Sequence, residues 1–152
     1  MIIPEYTTEE LVEVLEPFQQ SLILDLLSQH SEEEALQIWL NVSGPDHTAT
    51  FGGNGLKDYF KNFKTEFDNL ILGEEKYKDA LKEFSEHATV SKFFVVAHLS
   101  TILAESMGVV AGVVAPMIVL SLGVVTKIGL NAYRNMIIEK RKETNESNNL
   151  KY

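Results

Sequence analysis

A chain of 152 residues with 45% apolar side chains can build one compact domain with a genuine core, which excludes global disorder. Its formal charge of −9 is unevenly spread: residues 1–126 hold 7 basic and 19 acidic groups, residues 127–152 hold 6 basic and 3 acidic. So acidic a body excludes nucleic acid as its partner, because phosphate contacts need clustered Lys or Arg, and the lack of cysteine excludes disulfides, thiolate chemistry and all-Cys metal sites.

The opening MIIPEYTTEE has neither a basic n-region nor an apolar h-region. It does not read as a secretory signal, so a cytoplasmic location is expected. The two glycosylation patterns, at Asn41 and Asn145, are then chance matches. Thr7-x-x-Glu10 is a capping box, and Leu11, Val14 and Leu15 supply the apolar spacing behind it. Pro17 ends that helix or starts the next at its first turn. Phe18, Leu22, Ile23, Leu26 and Leu27 then share one face of a second helix. A second capping box, Ser31-x-x-Glu34, precedes Leu36, Trp39 and Leu40.

The segment Val42–Gly55, VSGPDHTATFGGNG, is the longest non-helical stretch, with a short extended piece possible at Thr48–Phe51. Its GGNG is no phosphate loop, since no Gly-Lys-Ser/Thr follows and no apolar strand precedes it. Beyond it, Leu56, Tyr59, Phe60, Phe63, Phe67, Leu70 and Ile71 recur in steps of three and four, which predicts an aromatic core stripe. Gly73 stops that helix, and Tyr77, Leu81 and Phe84 continue the pattern.

The four histidines, His30, His47, His87 and His98, do not converge on a ligand pattern. Glu83 and His87 share a helix face, but the inverted zinc motif lacks its first histidine. Asp46-His47 has no nucleophile placed beside it. No catalytic, metal or cofactor site is expected, and an enzyme is the least supported class.

From Ser106 to Thr126, 21 residues carry no formal charge. A helix of that length spans roughly 30 Å, the hydrocarbon thickness of a bilayer. Ser100, Ala104, Gly108 and Gly112 place small side chains every four residues and permit close helix approach. Pro116 would kink a continuous span, and a break near Glu105–Gly108 or before Pro116 would fold residues 91–143 into a hairpin. Either orientation of a single span is uncomfortable, since it exports the acidic body or the basic tail. Lys127, Arg134, Lys140, Arg141 and Lys142 could contact anionic headgroups or an acidic partner, or simply suit a helix C-terminus. The last residues, ETNESNNLKY, read as a frayed polar tail.

The expected fold is all-α: a small helical bundle with a long apolar C-terminal helix or helical hairpin. Residues 1–90 form an acidic amphipathic helical region, 91–143 the apolar segment, and 144–152 the tail. An apolar hairpin ending an amphipathic helical chain resembles the arrangement of pore-forming colicin domains. That likeness lies in the hydropathy of residues 91–133 and assigns no family. Two functions follow. In the first, the hairpin associates with a membrane or self-assembles there while the acidic region binds a partner. In the second, the protein is a wholly soluble interaction module, such as an adaptor or immunity-type protein, and the apolar segment is its central core helix.

Overall fold

Capping chemistry sets the N-terminal helices. The Thr7 hydroxyl accepts from the Glu10 amide at 3.2 Å while the Glu10 carboxylate accepts from the Thr7 amide, starting α1 (Thr8–Val12). Pro17 opens α2 (Pro17–Leu27) at its first turn, where its missing N–H costs nothing. Ser31 and Glu34 repeat the capping box ahead of α3 (Glu32–Ser43). The computed structural model describes residues 3–43, 55–86 and 90–150, without the side chains of 40–43, 55–60 and 147–150. Most of the glycine-rich segment therefore lies outside the described residues, as do His47, His87 and the side chains of Leu56, Tyr59 and Phe60.

Five further helices complete the chain: α4 (Gly55–Leu72), α5 (Lys78–Glu86) after a 3₁₀ turn at Glu75–Tyr77, α6 (Lys92–Met107), α7 (Ala111–Ile128) and α8 (Leu130–Leu150). Among the described residues there are eight α-helices and no strand, an all-α bundle as the spacing predicts. The aromatic stripe is core where it is described. Phe63 and Phe67 are fully buried and stack at 5.9 Å, and Tyr133 of α8 meets Phe67 edge-on at 6.2 Å. Tyr77, Leu81 and Phe84 are buried as well.

The uncharged span is not one helix. Gly108 adopts the left-handed conformation (φ 71°), and the amides of Gly108 and Val109 both return to the Ala104 carbonyl, closing α6. The chain restarts at Ala111, so α6 and α7 form the hairpin at the first of the two expected breaks. No break occurs before Pro116, which sits inside α7. Proline removes the amide that would bond the Gly112 carbonyl, and the Gln19 side chain donates to that carbonyl instead, at 3.4 Å. A second break, at Gly129 (φ 99°), separates α7 from α8. Residues 91–143 thus contain a hairpin and most of a third helix rather than a hairpin alone.

Helix α7 occupies the centre, with α1, α3, α6 and α8 packed around it. The unbroken buried run from Pro116 to Gly123 shows that it is covered on all sides over its middle turns. The close approach of α1 depends on Gly123: a Cβ there would lie 2.1 Å from Thr8 Oγ1 and 3.3 Å from Glu32 Cγ.

Two expectations need correction. Phe18 and Leu22 do not join Ile23 in the core; they are 65% and 51% exposed. Helix α2 packs chiefly on α1 and α3, and its apolar residues at 22, 23, 24, 26 and 27 spread over more of the helix surface than those neighbours cover. The tail from residue 144 is not frayed up to Leu150, because α8 meets no Gly or Pro that would stop it.

Candidate functional site: a small-residue groove beside the α6–α7 hairpin

Folding at Gly108 turns the row of small residues into two walls. Ala97, Ser100 and Thr101 come from α6; Ala111, Gly112 and Ala115 come from α7. Val14, Leu15, Glu16 and Gln19 close the groove from the α1–α2 turn, leaving about 260 Å³. Ser100 and Gly112 are therefore brought together, but across a hairpin rather than along one helix face. Ala104 is buried in the core and caps the turn through its carbonyl, while Gly108 makes the turn and adds no packing surface. Pro116 is buried on α7 and acts through the carbonyl it leaves to Gln19.

Two properties distinguish this groove. The Ser100 hydroxyl is buried, with the residue only 2% exposed, and has no hydrogen-bond partner. A buried unpaired hydroxyl costs roughly 1–3 kcal/mol, which a donor or acceptor entering the groove would relieve. Close in sequence to its lining residues are large apolar side chains in solvent. Val110 (69% exposed) and Val113 adjoin Ala111 and Gly112, Phe93 lies one turn before Ala97, and Phe18 and Leu22 flank Gln19. Sequence reasoning missed Phe18, Leu22 and Gln19. The usable signal was the excess of apolar positions on α2, more than one helix face can bury.

The basic residues of the C-terminal segment line other surfaces, and three of them are paired within the fold. Lys127 reaches Glu32 of α3 at 2.7 Å, the Arg134 Nε donates to the Ile71 carbonyl at 2.9 Å, and Arg141 donates to Asn69 Oδ1 at 2.7 Å and pairs with Glu74 at 3.5 Å. Lys140 and Lys142 are exposed. The sequence interval between these partners is large, so no local pattern announces the pairs.

Glu32 is the most consequential of the partners. Its side chain is buried against Gly123, accepts from Thr8 Oγ1 at 3.1 Å and pairs with Lys127, linking α1, α3 and α7. Burial alone would raise its pKa, but the hydrogen bonds from Lys127 and Thr8 outweigh it and hold the carboxyl below its ordinary value. A second cluster ties α4 to α8: Tyr133 donates to Asp68 at 2.7 Å, and burial followed by that hydrogen bond pushes the phenol well above its ordinary value. His98 is held by the Ala80 carbonyl at 2.6 Å and stacks on Phe94, and His30 lies 3.7 Å from Glu34. Both are accounted for by packing and local pairing.

No protein family, curated protein or solved structure matches this chain.

Proposed function

We propose that this protein is a soluble helical interaction module that binds a protein partner through the groove beside the α6–α7 hairpin. The observation that carries this reading is the pairing of a covered central helix with an uncovered apolar rim. Helix α7 already has protein neighbours over its middle turns, so its hydrophobicity is spent on the fold. Phe18, Leu22, Val110 and Val113 are not covered, and they belong to α2 and to the start of α7, elements that also supply a groove of small residues with an unpaired hydroxyl in its wall. Aromatic and aliphatic anchors around a small concavity are what a partner's apolar knob requires.

The test is affinity capture with the wild-type protein, followed by titration of the purified partner. Phe18→Asp and Val113→Asp should each weaken binding by about tenfold or more, while Ile128→Asp, at the far end of α7, should not. Equal binding by all three variants overturns the assignment of the groove.

A membrane reading keeps two observations in its favour. Helix α7 has 18 residues and is long and apolar enough to cross a bilayer, and the hairpin tip exposes Val110 and Val113. Insertion would first have to strip α1, α3 and α8 from α7 and break the Glu32–Lys127 pair. Flotation of the protein with anionic vesicles separates this reading from the first.

A further inference from the structure

A second cleft shares no lining residue with the hairpin groove. It opens between the C-terminal end of α4, the outer face of α5 and the start of α8, with a volume of about 570 Å³. That is the size of a small-ligand site. Its walls are built from two pairs of residues at i and i+4. Helix α5 presents Lys78 and Lys82, on the side adjoining its buried Leu81 and Phe84; helix α8 presents Arg134 and Ile138. Leu72 extends the apolar wall, and Gly73 leaves the floor open, with no atom within 4 Å of where its Cβ would be.

The charges favour an anion. In a chain of net charge −9, three cations line this cleft and no carboxylate does among the described lining residues. The Arg134 Nε is clamped by the Ile71 carbonyl, which holds the guanidinium in place and leaves its terminal N–H groups unassigned. A guanidinium held this way is prepared for the two oxygens of a carboxylate. Lys78 and Lys82 pair only with Glu75 and Asp79, at 2.8 and 3.8 Å, and those carboxylates are almost wholly in solvent. Exposed pairs of that kind are worth little and yield readily to a better anion. Beside the cations, Ile138 lines the cleft and is 42% exposed.

From the meeting of clamped guanidinium, two yielding lysines and an apolar wall in one cleft, we infer that the protein binds a single-chain carboxylate amphiphile. The carboxylate sits between Arg134 and Lys82, and its hydrocarbon chain lies along Leu72 and Ile138. A bilayer surface is a poorer occupant, because the cations line a concavity and not a flat face. The site is independent of the partner groove and stands or falls without it.

The experiment is calorimetric titration of the full-length protein with dodecanoate below its micelle concentration, beside dodecanol and acetate as separate arms. Saturable one-to-one binding of dodecanoate is expected, with dodecanol and acetate each at least about tenfold weaker. Arg134→Gln should weaken dodecanoate by about tenfold, as should Ile138→Asp, with helical circular dichroism unchanged. Should Arg134→Gln lose its fold, the exposed pair Lys78→Gln with Lys82→Gln carries the same test. No binding of dodecanoate overturns the inference. So does dodecanol binding as tightly, which would make the cations irrelevant, or acetate binding as tightly, which would make the wall irrelevant. Equal loss in Leu24→Asp, an exposed apolar site on α2, would reveal non-specific adsorption and overturn it too.

Discussion

Gly123→Ala sets two effects of opposite sign against each other on the central helix. In an exposed helix interior this substitution stabilises by about 1 kcal/mol through backbone entropy. Here the new methyl would lie 2.1 Å from Thr8 Oγ1, 3.2 Å from Thr8 Cβ and 3.3 Å from Glu32 Cγ. Rotating the Thr8 hydroxyl away relieves only the first contact and breaks its hydrogen bond to the buried Glu32 carboxylate. Overpacking of a close contact costs about 1–3 kcal/mol, and a hydrogen bond to a charged group about 1.5–3 kcal/mol, some of which relaxation recovers. The clash should win, leaving a net loss of about 1–2 kcal/mol. For a domain of this size that lowers the melting temperature by about 2–8 °C. Thermal denaturation of Gly123→Ala, Thr8→Ala and the double variant measures it. The double variant should be less destabilised than the sum of the singles by at least about 0.5 kcal/mol, since Thr8→Ala removes the atom in conflict. A melting point raised equally by Gly123→Ala in both backgrounds would mean that α1 does not pack on α7 at this glycine.

Three other outcomes follow from the same packing. Phe63→Ala should cost about 3–5 kcal/mol in urea unfolding, because the ring is fully buried against Phe67; an unchanged midpoint would place the stripe in solvent. Val114→Arg should destabilise by about 4 kcal/mol or more and drive the whole protein to aggregate, since Val114 is fully buried in the apolar core; a folded, monomeric variant would show that α7 is not core. The Glu32 carboxyl has a folded pKa below its ordinary 4.5, so its contribution to stability is present above that pH and is lost as pH falls through the folded value. The stability gap between wild type and Glu32→Gln should therefore narrow below about pH 4.5, and a gap that stays constant through acid would remove Glu32 from the link between α1, α3 and α7.

Much of the fold was legible because its signals are local. Both capping boxes, the proline at the start of α2, the glycine stop after α4 and the break near Gly108 are read from a few adjacent residues. The 3.6-residue period likewise placed Phe63, Phe67, Leu81 and Phe84 in the core. What periodicity lacks is the identity of the neighbour. Phe18 and Leu22 have a proper helical spacing with each other, yet it is Ile23, about 100° round the helix from Leu22, that finds a covering element. Long-range partners were equally hidden: nothing near Lys127 in the sequence points to Glu32, and nothing near Pro116 points to Gln19. The small-residue row was visible, but its meaning depended on Gly108 turning the chain, which converts a stripe on one helix into a groove between two.

On the reading proposed above, α7 belongs to a protein core and not to a bilayer. Fractionation of the wild-type protein with an alkaline carbonate wash, joined to flotation with anionic vesicles, tests it most directly. A detergent-free, monodisperse protein that stays in the supernatant and does not float is the expected result. Protein that resists the carbonate wash in the membrane pellet, or rises with the vesicles, would contradict it.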